Sequence, residues 1–153
     1  MGVYFLDTSA LVKRYVTETG SGWARALCQP AAGHLLVISQ AALAETVAAF
    51  CRKEREGVIS IPDRDQAIVI FRQHVRRSYS LQRVTTAVYS HAGDLCRVHR
   101  LRAYDAIQLA CALTLRDTLT ALGQIPTFLS SDADLVTFAS AEGLPSDNPL
   151  NHP

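Results

Sequence analysis

Two aspartates stand directly after short apolar segments near opposite ends of this 153-residue chain. Asp7 follows the run Val3–Leu6, and Asp132 follows the run Thr127–Leu129 after two serines. Neither run alternates with polar residues, which is typical of parallel strands that are buried on both faces. If the two strands are neighbours, their carboxyl ends bring both aspartates to the crevice where open parallel sheets bind ligands. Each aspartate also suits the N-terminus of the helix that follows it, so capping is the alternative role.

A third aspartate, Asp105, lies at the start of a segment, residues 104–118, that is apolar on nearly every side. This pattern predicts a buried helix. Gln108 stands three residues after Asp105, in the spacing of a capping box. A cap and a functional carboxylate are therefore both open interpretations of Asp105.

Glu45 lies in an alanine-rich segment, residues 40–56, that is predicted to be helical and to end at Gly57. The pattern predicts that this helix buries one apolar stripe, formed by Leu43, Val47 and Phe50. Glu45 points roughly away from that stripe, so a solvated side chain is the simplest interpretation. The alanines beside it nevertheless leave room for a ligand to approach.

Together the four carboxylates form a set of oxygen donors, which are the ligands that hard divalent cations such as Mg²⁺ prefer. Without a cation, converging carboxylates repel one another and raise one another's pKa values. The five histidines and four cysteines show no spacing typical of a metal site. A site built here is therefore predicted to depend on carboxylates.

The order of the predicted elements indicates a three-layer α/β/α sandwich around a short parallel sheet. Strands are expected at 3–6, 35–38 and 127–129, with a weaker one at 82–85. About seven helices are expected between and after them, over residues 9–16, 22–29, 40–56, 62–78, 86–98, 104–118 and 133–141. The length suits one domain, which we expect to cover 1–149, followed by a loose tail, 150–153.

The charge is unevenly distributed along the chain, although the formal net charge is only +1. Residues 52–104 carry eleven basic and five acidic side chains, whereas residues 105–153 carry one basic and six acidic ones. No apolar run approaches the roughly 20 residues that a membrane-spanning helix needs. The start of the chain has no pattern of a secretion signal. We therefore expect a cytoplasmic protein with no membrane association.

Four segments of the chain resemble the PIN-domain family, and within it the VapC-type toxins of toxin–antitoxin pairs. The segment Phe5–Tyr15 (FLDTSALVKRY) resembles the opening of a PIN domain, and Leu101–Ala110 (LRAYDAIQLA) resembles its third acidic motif. Ser130–Leu135 (SSDADL) resembles the fourth acidic segment, and Glu45 in Ala44–Thr46 stands at the position of the family's helical glutamate. The resemblance covers nearly the whole chain.

The resemblance implies an endoribonuclease that uses Mg²⁺ or Mn²⁺ to cleave phosphodiester bonds of single-stranded RNA. It assigns Asp7 and Asp105 as main metal ligands, with Glu45 binding through water or orienting the attacking water. Asp132 would complete the cluster, and Asp134 is an alternative to it. Thr8 and Ser130 would supply hydroxyls that support the ligands. A cognate antitoxin and a homodimer are further expectations, the dimer contacts coming from the helices 40–56 and 62–78.

The arginine-rich part of the chain offers candidate contacts for RNA phosphates, because the planar guanidinium group matches phosphate oxygens well. Solvated helix faces, or a docking surface for an acidic partner, are the alternatives. The candidates are Arg72, Arg76, Arg77, Arg100 and Arg102.

Two other functions remain open from the residues. One is a catalytically silent domain that binds RNA or serves as an adaptor, against which the presence of all four acids argues. The other is a phosphohydrolase with Asp7 as a covalent nucleophile. The sequence Asp7-Thr8-Ser9 lacks the second acid expected there, and the only lysines are Lys13 and Lys53.

Overall fold

A computed structural model describes all residues, 1–153, and contains the predicted parallel sheet with one strand more than expected. The strands lie side by side in the order β3-β2-β1-β4-β5, and every neighbouring pair is parallel. Their bounds are β1 (Val3–Leu6), β2 (Leu35–Ser39), β3 (Ser80–Gln82), β4 (Thr127–Leu129) and β5 (Ser146–Asp147). The weak strand predicted at 82–85 lies slightly earlier, and β5 was not predicted.

Seven α-helices connect and cover these strands, as expected. Their bounds are α1 (Thr8–Val12), α2 (Ser21–Leu27), α3 (Ala42–Arg55), α4 (Ile61–Arg77), α5 (Thr86–Val98), α6 (Ala103–Thr120) and α7 (Ala133–Ala141). Short 3₁₀ turns occur at Pro30–Ala32 and Pro149–Asn151. None of the helices has the length and apolar character that crossing a bilayer would require.

The sheet separates two hydrophobic cores, which confirms the three-layer architecture. On one face, Phe5 and Phe128 stack with their ring centroids 5.9 Å apart and pack with residues of α5, α6 and α7. On the other face, Leu6 and Ile38 pack with residues of α1, α3 and α4. Because α6 runs through the first core, nine of its residues are buried, as its apolar sequence predicts.

The strand β1 lies in the middle of the sheet and sets the position of the ligand crevice. Its partner on one side is β2, and on the other side it pairs with β4, placing Leu6 opposite Leu129. The order of strands reverses at β1, so the crevice opens at the carboxyl ends of β1 and β4. The two strands are therefore neighbours, which was the condition for Asp7 and Asp132 to meet at one crevice.

The buried face of α3 differs from the prediction. Leu43 is exposed, and the helix instead buries Ala42, Thr46, Ala49 and Phe50. Small side chains on this face allow α3 to approach α1 and the sheet closely. The helix is therefore rotated from the expected orientation. This rotation turns Glu45 towards the crevice, so its side chain is not simply solvated.

The end of the chain packs more closely than the expected loose tail. The imidazole of His152 stacks on the indole of Trp23, with ring centroids 4.4 Å apart and nearly parallel planes. Its Nε2 atom also lies 2.9 Å from a carboxylate oxygen of Asp147 in β5. Residues 150–152 are thereby held against α2 by contacts that the sequence pattern did not indicate.

Candidate active site

Asp7 leaves the carboxyl end of β1 and is buried, with 4% of its surface exposed. Its backbone amide donates to the carbonyl of Leu129, which ties it to β4. One carboxylate oxygen, Oδ2, accepts hydrogen bonds from the hydroxyls of Ser9 at 2.6 Å and Ser130 at 3.0 Å, and from the Ser9 amide. Asp7 thus caps α1 and is also fixed from the neighbouring strand.

Burial raises the pKa of Asp7 above its ordinary value, although the hydrogen bonds from Ser9 and Ser130 act in the opposite direction. All three hydrogen bonds end on Oδ2, so Oδ1 receives none from the side chains around it. No basic side chain forms a salt bridge with this carboxylate. A buried carboxylate without a basic partner favours a cation in its vicinity.

Glu45 is half-buried on α3 and is held by a side chain from a distant helix. The amide nitrogen Nε2 of Gln108 donates to Glu45 Oε1 at 2.9 Å and to Thr8 Oγ1 at 3.2 Å. Burial raises the pKa of Glu45 to about 7, and the negative charges of Asp7 and Asp105 act in the same direction. The carboxyl group of Glu45 therefore titrates near neutral pH in the protein without a cation.

Asp105 lies in the first turn of α6, and it does not cap that helix. The N-cap residue is Arg102, which makes no side-chain capping bond, and Gln108 contacts Glu45 and Thr8 instead of completing a capping box. Burial raises the pKa of Asp105, and the charges of Asp7 and Asp132 add to the effect. Asp105 therefore interacts electrostatically with the acids at both strand ends.

The structure distinguishes the surroundings of Asp132 from those of Asp134. Asp132 caps α7 through Oδ1, which accepts hydrogen bonds from the amides of Asp134 and Leu135. It is also close enough to Asp105 to raise the pKa of that residue. Asp134 is exposed on the same wall, and its side chain makes no capping bond to α7.

The five predicted acids all line one open cavity of about 1080 Å³. None of them takes part in a salt bridge. No three His, Cys, Asp or Glu side chains in the structure lie close enough together to enclose a metal ion. Mg²⁺ binds proteins through one or two carboxylates and keeps several waters, so an open arrangement of oxygen donors fits the chemistry of this ion.

The cavity also carries basic residues, only some of which the sequence indicated. Arg100 and Arg102 lie on the wall next to Asp105, and Arg52 and Lys53 on the side of α3. The remaining candidates lie on the exposed surface of α4, and none of them lines this cavity: they are Arg72, Arg76 and Arg77.

Two supporting residues of the site, Ser9 and Gln108, were not assigned this role from the sequence. Ser9 holds Asp7, and its hydroxyl also accepts a hydrogen bond from the amide of Ser131 at 2.8 Å. Gln108 is completely buried among the apolar residues of α6. A lone amide in such a helix is the signal that a polar partner must lie within the core. Thr8 and Ser130, which were expected to support the acids, contact Gln108 and Asp7 respectively.

Comparison with known proteins agrees with this geometry. Residues 4–139 match the family model of the PIN domain. Two proteins of Mycobacterium tuberculosis, ribonuclease VapC45 of strain CDC 1551 and ribonuclease VapC49 of strain H37Rv, are each 33% identical over 120 residues. These alignments cover 76% of this chain and 79% of each relative.

Solved structures share the fold at lower sequence identity. VapC20 of M. tuberculosis, a toxin that cleaves the sarcin–ricin loop, superposes with a TM-score of 0.60 at 19% identity and covers 94% of this chain and 96% of its own. VapBC2 of Rickettsia felis, bound to a DNA fragment from its promoter, gives a TM-score of 0.60 at 14% identity, covering 95% and 98%.

Proposed function

Since this chain belongs to the PIN-domain family, we propose that it is a metal-dependent endoribonuclease and the toxin of a toxin–antitoxin pair. The observation that carries the proposal is the meeting of Asp7, Glu45, Asp105 and Asp132 on one cavity at the carboxyl ends of β1 and β4. Burial raises the pKa values of Asp7, Glu45 and Asp105, and the charges of neighbouring carboxylates add to the effect at Glu45 and Asp105.

We propose Mg²⁺ or Mn²⁺ as the cofactor, held by Asp7 and Asp105 with support from Asp132. When bound, such an ion supplies charge neutralisation at a phosphate and lowers the pKa of a water molecule. Asp7 is suited to a direct contact, because Ser9 and Ser130 fix Oδ2 and leave Oδ1 without a side-chain hydrogen bond. Asp134 is the alternative to Asp132 on the same wall.

Glu45 is suited to orient the attacking water and to accept its proton. Gln108 fixes Oε1 by a hydrogen bond, which leaves Oε2 as the oxygen that can accept a proton. Burial is the largest cause that raises the pKa of Glu45, and it makes this carboxylate a stronger base than an exposed glutamate. Hydrolysis then proceeds without a nucleophilic histidine or cysteine, in agreement with the composition of the cavity.

The RNA backbone is expected to contact arginines on both sides of the acids. Arg52, Arg100 and Arg102 are exposed, line the cavity and take part in no salt bridge. Lys53 is less available, because its Nζ atom lies 2.6 Å from Glu18, which also binds the buried Lys13. The arginines on α4 lie outside the cavity and suit contacts with more distant phosphates or with a protein partner.

Two protein partners belong to the proposal. The relatedness to VapC ribonucleases supports a cognate antitoxin, and VapBC2 offers a structural comparison. A homodimer is supported by exposed apolar side chains on the predicted helices, namely Leu43 of α3 and Ile61 and Val69 of α4. A protein acting on cellular RNA is expected in the cytoplasm.

Cleavage of RNA with Mg²⁺ and with EDTA tests the proposed activity. We expect cleavage in Mg²⁺ that EDTA stops, and loss of cleavage in Asp7→Asn and Asp105→Asn. Asp94→Asn is the matched control, because Asp94 is exposed on α5 and lies outside the cavity. Cleavage that persists in both site variants would refute the proposed site.

The same variants separate the alternative functions. A silent RNA-binding domain would bind RNA and cleave nothing in any divalent cation. A phosphohydrolase would form a phospho-aspartate at Asp7, which acid quenching and mass spectrometry detect. Growth arrest on expression, relieved by the product of a neighbouring short gene, would support the toxin assignment.

A further inference from the structure

Tyr104 is an exposed aromatic residue at the edge of the carboxylate cavity. It lies in the first turn of α6, directly before Asp105, and 57% of its surface is exposed. Its hydroxyl takes part in no hydrogen bond, and its ring packs against no other aromatic ring. The ring is therefore available to a ligand without any rearrangement of the core.

The other tyrosines of the chain differ from Tyr104 in position or burial. Tyr15 and Tyr79 share a hydrogen bond on the opposite side of the sheet, and Tyr4 packs on His34. Tyr89 is also 57% exposed, but it lies on α5 and does not line the cavity. Tyr104 is thus the one tyrosine that combines exposure with a place beside the acids.

Two basic side chains accompany Tyr104 on the same wall. Arg100 and Arg102 are exposed, line the cavity and form no salt bridge. The segment 100–105 therefore presents two free guanidinium groups, one aromatic ring and one carboxylate in sequence. Proteins that bind single-stranded nucleic acids combine positive charge for the backbone with aromatic rings on which bases stack.

We propose that Tyr104 stacks on an unpaired nucleobase of the RNA next to the scissile phosphate, while Arg100 and Arg102 bind the adjoining backbone. The inference rests on the proposed ribonuclease function and names the residue that selects a single strand. A base in a duplex already stacks on its neighbours and cannot offer a face to the ring. Cleavage beside Tyr104 therefore requires a base that is free to leave the helical stack.

A comparison of two probes isolates the contribution of the base. The probes are a fluorescent oligo(A) of roughly ten nucleotides and a ribose-phosphate chain of equal length without bases, with affinity measured by anisotropy in EDTA. The wild type is expected to bind oligo(A) more tightly than the abasic chain. In Tyr104→Ala, we expect this preference to fall about fivefold or more, with unchanged affinity for the abasic chain.

Matched variants separate stacking from other effects of the substitution. Tyr104→Phe keeps the aromatic face and is expected to retain the preference for bases. Tyr89→Ala removes an equally exposed ring away from the cavity and is expected to change neither affinity. With cleavable RNA in Mg²⁺, Tyr104→Ala is expected to raise KM more than it lowers kcat.

The outcomes distinguish this inference from the function on which it rests. Cleavage by the wild type with an unchanged base preference in Tyr104→Ala overturns the stacking role and leaves the nuclease intact. Loss of affinity for the antitoxin alone, with normal RNA binding, assigns Tyr104 to a protein contact and also overturns it. A wild type that neither binds nor cleaves RNA refutes the proposed function itself.

Discussion

Replacing Glu45 by glutamine should stabilise the protein without a cation, in a manner that depends on pH. The substitution keeps the oxygen that accepts the hydrogen bond from Gln108 and removes the charge. It also relieves the repulsion among Glu45, Asp7 and Asp105, which contributes to the raised pKa of Glu45. A gain of stability on substitution is expected for a residue that is placed for function rather than for stability.

The size of the effect follows from the pKa of Glu45, which is raised from 4.5 to about 7. A shift of that size corresponds to at most about 3.4 kcal/mol, at roughly 1.4 kcal/mol for each pH unit. Because Glu45 is half-exposed, solvent screens its charge, and we expect about 1–2 kcal/mol in practice.

The sign follows from proton binding in the two states. Between pH 4.5 and about 7 the folded protein holds a proton on Glu45 that the unfolded chain has released. The stability of the wild type therefore falls as the pH rises through this window. The free energy of unfolding of Glu45→Gln should therefore equal that of the wild type near pH 4. At pH 8 it should exceed that of the wild type by the full expected amount.

Urea denaturation in EDTA at pH 4, 6 and 8 measures this difference. Glu56→Gln is the control, because Glu56 is exposed at the end of α3 and lies outside the cavity. Adding Mg²⁺ should stabilise the wild type more than Glu45→Gln, since the variant has lost a cation-binding charge. A variant that is destabilised equally at every pH would refute the electrostatic reasoning.

Other predictions concern the supporting contacts and the packing. Gln108→Leu should lower RNA cleavage about ten- to a hundredfold with little change in Tm, because it frees Glu45 while leaving an apolar core. Ser130→Ala should lower the free energy of unfolding by about 1–3 kcal/mol in urea denaturation, since it removes a hydrogen bond to the buried side chain of Asp7. Gly20→Ala should cost more than about 2 kcal/mol, because the residue has a left-handed backbone and its Cβ would lie 2.3 Å from a backbone oxygen. Gly33→Ala, with a left-handed backbone and open space, should cost only about 1–2 kcal/mol. Urea denaturation checks both glycine variants, and equal losses would contradict the role of the close approach.

The sequence predicted the strands that are buried on both faces, because their apolar runs are unbroken. β1, β2 and β4 have this pattern and lie where it places them. β5 consists of only Ser146 and Asp147, whose pairing with β4 follows from the position of the chain after α7. A two-residue strand of polar residues carries no pattern that distinguishes it from a loop.

The sequence predicted the acids of the site but not the hydrogen bonds that hold them in place. Asp7 and Asp132 follow β1 and β4, so their meeting follows from the pairing of these two strands. The hydrogen bond from Gln108 to Glu45 joins residues 63 positions apart and depends on the rotation of α3. That rotation follows from the burial of Ala42, Thr46 and Ala49, which a search for large apolar side chains overlooks.

The central place of β1 has a consequence for the protein during its synthesis. β1 is synthesised well before its partner β4, whose carboxyl end also positions Ser130 beside Asp7. A nascent chain that stops before Thr127 holds Asp7 with neither the Leu129 carbonyl nor the Ser130 hydroxyl. Incomplete translation products of this kind are therefore expected to lack the assembled carboxylate cluster, because it forms only after residues 127–132 have been made.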